Sequence, residues 1–262
     1  MIYWVLWAKF NWRLYPKKMI DIKKLTKDYE TTLAVNDLSL SVATGEIYGF
    51  IGPNGAGKTT TIRMMGGIIA PTSGSVIIDG FDMAKNPVSA KQIIGFIPDR
   101  PFLYEKLTGR EFLKFSSDLY NVDSGIFEQK SASLLKQFAL WDWANEIIEA
   151  YSHGMKQRLI IAAALLHDPK VLIIDEPMVG LDPTGVRMVK DILKQLAANN
   201  ITIFLSTHTL SIAEDLCHRI GVISKGTLLA QGTLVQLNEA AKTGKAKLEE
   251  VFLNLVSHEW EP

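Results

Sequence analysis

The sequence predicts an α/β fold whose mostly parallel sheet is covered on both faces. Short apolar runs of strand character alternate with stretches of helical period along most of the chain, as a helix-covered parallel sheet requires. Glycines cluster at residues 52–57, between one such run and one such stretch, where a strand must hand over to a helix. From residue 108 to about residue 150 the period is helical throughout, which places a helical insert between strands.

Taken in order, residues 1–18 stand apart. Tyr3, Trp4, Trp7, Phe10, Trp12 and Tyr15 occur with Lys9, Arg13, Lys17 and Lys18 and no acid. The positive charge follows the apolar run, the reverse of a secretory signal. The segment reads as a helix lying in a membrane interface, as a loose tail, or as sequence ahead of a true start at Met19. Residues 20–25 and 38–42 read as strands, residues 46–51 as the strand entering the glycine cluster, and residues 60–65 as the helix leaving it. Residues 75–80 and 93–97 are two more short strands. In the insert, Phe112, Phe115, Leu119, Phe127, Leu134, Leu135 and Phe138 recur at helical spacing. Strands return at residues 171–174, 201–205 and 219–224, with helices at 183–198 and 210–216 between them. Residues 227–231 pair back on 221–224 through Lys225-Gly226.

At 262 residues and 47% hydrophobic, the chain can bury a large core. Its 28 basic and 28 acidic residues balance, which gives no electrostatic case for nucleic acid as a partner. The single cysteine, Cys217, rules out an internal disulfide framework and reads as a small buried or half-buried hydrophobe. The longest core-like apolar run, residues 159–166, falls far short of the roughly 20 residues of a spanning helix. Any work at a membrane is therefore expected to need a separate chain.

The glycine cluster is Gly52-Pro53-Asn54-Gly55-Ala56-Gly57-Lys58-Thr59, a complete match to G-x-x-x-x-G-K-[ST]. Such a loop names a Mg²⁺-nucleoside triphosphate: its backbone N–H groups form an anion nest, Lys58 reaches the outer phosphates, and Thr59 offers a hydroxyl to magnesium. Thr60 belongs to the same phosphate-facing turn, at the positive end of the helix dipole. The apolar run 171–174 ends in Asp175 and Glu176. Two carboxylates at the end of a buried strand need cations or ordered water, so Asp175 is assigned to the magnesium shell and Glu176 to the attacking water. His208 follows the strand 201–205 in Ser206-Thr207-His208, and strands of an open parallel sheet deliver ligand contacts at their carboxyl ends. His208 is accordingly a catalytic candidate beside the γ-phosphate.

Together these residues resemble the nucleotide-binding subunit of an ATP-binding-cassette (ABC) transporter over roughly residues 20–235. Tyr29 stands where the family has an aromatic that stacks on adenine, and Gly52 to Thr59 is its Walker A loop. Tyr151-Ser152-His153-Gly154-Met155-Lys156-Gln157-Arg158 occupies the place of the signature Leu-Ser-Gly-Gly-Gln. Val171 to Glu176 is similar to Walker B, Gly180-Leu181-Asp182 to the D-loop, and His208 to the switch histidine. The signature departs from the pattern at His153 and Met155 but keeps Ser152 and Gly154. Where the family usually has glutamine after the strand 93–97, this chain has the shorter, charged Asp99, a candidate magnesium contact that is direct, through water, or absent. His153 reads as a solvated surface histidine or a pH-sensitive donor.

The resemblance implies a P-loop NTPase parallel-sheet core with an N-terminal antiparallel β subdomain and an inserted helical subdomain. Its domain division is an extension at 1–18, the ATPase domain at 19–235 with the insert at about 99–167, and a helical tail at 236–262. It also implies ATP and Mg²⁺ as cofactors, hydrolysis with Glu176 and His208 in catalytic roles, and a peripheral place on the cytoplasmic face of the membrane. Two ATPase subunits would meet head to tail, so that Ser152, Gly154 and Asp182 complete the partner's ATP site. Transport would run through a permease on a separate chain, with Pro101, Phe102, Leu103 and Tyr104 either lining its docking loop or packing locally. The segment Leu248-Glu249-Glu250-Val251-Phe252-Leu253 and the altered signature are similar to a subgroup that often exports. The rival readings are a non-transport cassette ATPase and a low-turnover regulatory module.

Overall fold

The computed structural model describes residues 17–99 and 102–257. The readings of residues 1–16 and of Pro101 lie outside the described residues. The chain opens with β1 (Lys18–Asp28), β2 (Leu33–Ala43), β3 (Ile47–Ile51) and α1 (Lys58–Met65). It continues through β4 (Ser73–Ile78), β5 (Phe81–Asp82), α2 (Pro87–Gln92) and β6 (Ile94–Ile97). The helical insert carries α3 (Gly109–Leu119), α4 (Ser124–Gln137) and α5 (His153–Leu165). Then come β7 (Val171–Asp175), α6 (Pro183–Ala198), β8 (Thr202–Thr207), α7 (Leu210–Leu216), β9 (Arg219–Ser224) and β10 (Thr227–Gly232). Helices α8 (Leu234–Ala241) and α9 (Leu248–Ser257) close the described chain.

The strands form two sheets, an antiparallel one in the order β2-β1-β4-β5 and a larger one in the order β10-β9-β3-β8-β7-β6. In the larger sheet every pairing is parallel except β10 on β9, whose register Thr227↔Ser224 is that of the predicted hairpin. All residues of β3, β7 and β8 are buried, which is why apolar residues run consecutively through their middles instead of alternating.

Side chains alternate across this sheet and feed two cores. Leu172, Ile174, Ile203 and Leu205 pack with Leu113, Phe127, Phe138 and Leu159, so the helical insert shares a core with the parallel sheet. Val171, Ile173 and Phe204 face the other way and pack with Ile20, Ile22, Leu38 and Val42 of the antiparallel sheet. A third cluster seats Leu237, Leu248 and Val251 of α8 and α9 against Ile51 and Val222. Among the described residues no helix is long and apolar enough to cross a membrane.

Strands β1 and β2 are longer than their apolar alternation indicates. Their pairing is broken by register shifts between Ile22 and Leu25 and between Leu25 and Lys27, and Lys24 and Asp37 take φ of 46° and 48°. Each bulge resets which face the next side chain takes and so erases the period-two signal. Helix α2 and strand β5 escape a reading of the pattern because α2 buries only Ala90 and β5 has two residues.

Candidate functional site

Strand β3 delivers the glycine loop to α1, and the loop closes on itself. Lys58 Nζ donates to the carbonyls of Gly52 at 2.7 Å and Pro53 at 3.1 Å. Burial lowers the Lys58 pKa, while the carboxylates of Glu176 and then Asp175 oppose that shift. Gly57, the residue before α1, has φ of 104°, and a Cβ there would lie 2.4 Å from the carbonyl oxygen of Ala34. Only glycine fits that turn, and it leaves the first N–H groups of α1 without a side-chain cap. Uncapped N–H donors at a helix N-terminus with an ammonium beside them are an arrangement that can bind an anion.

Strand β7 brings in the two carboxylates. Asp175 is 2% exposed, accepts the Thr59 hydroxyl at 2.9 Å through Oδ2, and accepts the Ser206 hydroxyl through Oδ1. Glu176 leaves the strand in a left-handed conformation, φ 52°, with its N–H donated to Ser206 O at 3.2 Å. Its Oε1 accepts the His208 N–H at 3.0 Å and lies 2.8 Å from His208 Nδ1. The turn at the end of β7 thus aims one acid into the sheet edge and the other along it, against His208, the residue that follows β8. Thr59 and Asp175 present hard oxygen donors at one point, which fits Mg²⁺ completed by phosphate and water oxygens.

These groups wall a 660 Å³ cavity at the carboxyl edge of the parallel sheet. Residues 54–60 line it, with Asp99, Asp175, Glu176 and His208; Gly52 and Pro53 stand behind it, their carbonyls held by Lys58. The adjoining wall is Thr32, Leu33 and Ala34 rather than Tyr29. Tyr29 N–H closes a turn on Thr32 O at 3.0 Å, and its exposed ring lies 4.9 Å from Lys27 Nζ.

Ser152, Gly154 and Asp182 are not among the residues lining this cavity. Ser152 caps α5 by accepting the Met155 N–H at 3.2 Å, and Asp182 caps α6 by accepting that of Gly185 at 3.0 Å. Gly154 packs so near Gly180 that a Cβ on it would be 3.3 Å from Gly180 O. Sequence reasoning missed Ser206, whose signal was a hydroxyl residue two before His208, and it missed Val179 and Lys225 in the cavity wall. Of the remaining histidines, His167 Nε2 lies 3.0 Å from Ile94 O and His218 Nδ1 accepts the Ile47 N–H at 2.9 Å, both structural.

Asp99 also borders a second, apolar groove of 860 Å³ on the helical insert. There Phe102 is 78% exposed and Tyr104 is exposed, with Tyr104 edge-on to Phe102 at 5.3 Å and to Phe115 at 5.1 Å. Leu103 alone of the three described loop residues turns into the core.

The family model described as ABC transporter matches residues 35–179, more than half of the chain. The chain belongs to the ABC transporter family. Among relatives of this ABC subunit, the bacitracin transport ATP-binding protein BcrA of Bacillus licheniformis is 42% identical over 216 residues, covering 81% of this chain and 69% of its own. The linearmycin resistance ATP-binding protein LnrL of Bacillus subtilis (strain 168) is 38% identical over 219 residues, covering 84% and 70%. The ABC transporter ATP-binding protein NatA of the same organism is 34% identical, covering 87% and 90%.

Among solved structures, an ATP-binding subunit of an ABC transporter superposes with a TM-score of 0.86 at 32% identity, covering 91% of this chain and 99% of that one. A dimeric cassette in a post-hydrolysis state with ADP and Pi superposes at 0.75 with 26% identity, covering 82% and 98%. The ABC subunit is thus an ATP-binding and ATP-hydrolysing cassette of a transporter, with the parallel core and antiparallel β subdomain of that fold. Subunits of this kind dimerise and act with membrane permeases.

Proposed function

We propose that this ABC subunit powers export through a permease on a separate chain, by closing head to tail with a second ATPase subunit around ATP. The observation that carries the reading is the fixed Glu176–His208 pair beside Thr59 and Asp175, with the signature residues outside their own chain's cavity. A cavity with its base in place and its signature elsewhere is half of a composite site. Lys58 and the free N–H groups of α1 bind and orient the outer phosphates. Glu176 accepts a proton from the attacking water, and His208 fixes the carboxylate that does so. Mg²⁺, held by Thr59 and Asp175 with Asp99 in the same wall, would neutralise charge on the phosphates. The adenine end is assigned to the side of Tyr29, whose ring is exposed and whose backbone N–H bonds the carbonyl of Thr32 in the cavity wall.

Ser152 and Gly154, at the N-terminus of α5, would reach the γ-phosphate bound by the other subunit. Closure is then favoured only while that phosphate is present, and hydrolysis releases it. The apolar groove around Phe102 and Tyr104 is the docking surface for the permease, which would hold the subunit peripherally at the cytoplasmic face of the membrane. Export is supported by the names of the relatives, one for bacitracin transport and one for linearmycin resistance. The assembled Glu176–His208 pair favours turnover over a regulatory module. Affinity isolation of the tagged chain from gently solubilised native membranes tests the proposal, with a permease expected as the stoichiometric companion. Recovery of the chain alone, with no dimer on adding ATP, would overturn it.

A further inference from the structure

Between Glu176 and Asp182 the chain forms a short strap whose two ends are held by different parts of the molecule. At the near end Glu176 is fixed by Ser206 O and by His208. The strap itself is two tight turns, with Val179 N–H on Glu176 O and Leu181 N–H on Met178 O, both at 3.3 Å. Glu176 and Gly180 both take left-handed φ, 52° and 78°.

At the far end the strap meets the start of α5 at the surface, where His153 and Gly180 are both exposed. A Cβ on Gly180 would lie 1.8 Å from His153 Cδ2 and 2.5 Å from Nε2, so the imidazole edge fills the space where a side chain would stand. One helical turn on, Gln157 is 4% exposed and its amide faces Pro177 O at 3.5 Å. Residues 153 and 157 therefore touch the strap at two points from one face of α5. Neither lines the nucleotide cavity of its own chain, and both line the apolar groove.

We infer that His153 is a positioning residue for Glu176, acting by packing on Gly180 and not as a ligand of phosphate. The inference rests on the assignment of Glu176 as the acceptor of the water proton. Shortening His153 frees Gly180, and the strap carries that freedom to a carboxylate whose angle to the water sets the rate. Ring bulk, rather than a ring nitrogen, is what the contact uses.

The test is steady-state ATP hydrolysis by the purified full chain, with His153→Gly, His153→Phe, Gly180→Ala and the His153→Gly/Gly180→Ala double variant. His153→Gly is expected to lower kcat roughly tenfold with KM for ATP within about twofold, since misplacement of a catalytic group costs rate and not binding. His153→Phe should keep most of the kcat. Gly180→Ala should cost much more beside the native His153 than in the His153→Gly background, because only the first has a ring in the way. If His153→Phe is as slow as His153→Gly, a ring nitrogen matters and the inference fails. Equal cost of Gly180→Ala in both backgrounds overturns it as well. Glu176→Gln, run alongside, separates the two assignments: turnover surviving that change removes Glu176 from its role whatever the His153 variants do.

Discussion

Glu176 Oε1 is held by His208 twice, through the backbone N–H at 3.0 Å and by Nδ1 at 2.8 Å. A carboxylate fixed from both directions needs no reorganisation to accept a proton from a water in front of it. Glu176→Gln keeps the shape and removes the base, so turnover should fall about 10²- to 10⁴-fold while ATP affinity stays. His208→Ala leaves the base but frees it, and kcat should fall by roughly 10². Single-turnover hydrolysis with a fluorescent ATP analogue for affinity checks both; near-normal turnover in Glu176→Gln removes the assignment.

Asp175 is buried and has two hydroxyl partners, Thr59 and Ser206. Its charge acts on the Lys58 ammonium nearby, and a cation arriving with ATP would supply a second counter-charge. Asp175→Asn should weaken binding of ATP in the presence of Mg²⁺ by roughly 10- to 100-fold and leave binding in EDTA unchanged. Titration calorimetry with and without EDTA reads the difference. An equal loss in both conditions would point to a damaged loop.

Ser152 is exposed at the start of α5, away from the cavity of its own chain. Ser152→Arg puts a bulky cation there and should abolish ATP-induced dimers of the Glu176→Gln variant, with ATP binding by the single subunit intact. Loss of the cap costs about 1 kcal/mol, too little to unfold a chain of this size. Analytical ultracentrifugation with ATP distinguishes the outcomes, and a persisting dimer rejects the head-to-tail geometry.

Much of this site was legible because its chemistry demands particular residues at short spacing. Gly52 to Thr59 must be contiguous to wrap a phosphate, and Asp175, Glu176 and His208 sit at strand ends that the apolar runs mark. What was not legible depends on long-range packing. The wall next to Tyr29 is Thr32, Leu33 and Ala34, where the chain enters β2, and the irregular register of β2 on β1 hides this from the local pattern. Ser206 bonds a residue on the neighbouring strand, and only the parallel register Asp175↔Ser206 brings them together. The contact of His153 with Gly180 arises from the docking of α5 on the turn before α6, and no local pattern encodes it. The loop at Phe102 to Tyr104 looked uniformly apolar; its conformation, not its composition, sends Leu103 inward and its neighbours out.

The last expectation concerns acid stability. Asp79, at the turn after β4, is only 6% exposed at its side chain and bonds both Lys17 and Lys170, the latter at 2.8 Å. The hydrogen bond from Lys17, and then that from Lys170, hold its pKa below the ordinary carboxylate value, against a smaller opposing effect of burial. A depressed folded pKa means that the ionised form stabilises the fold. That stability is fully present above the unfolded value of about 4 and is lost as pH falls through it toward the folded value. Asp79→Asn tests this cleanly, because asparagine also tolerates the φ of 48° found here. With the lysines exposed and screened, the cost at pH 7 should be about 1 kcal/mol, or about 2–4 °C in Tm. The gap to the parent chain should hold down to about pH 5 and close toward pH 3. Thermal melts across that range decide it: a gap that stays constant would mean the two lysines do not act through the charge of Asp79.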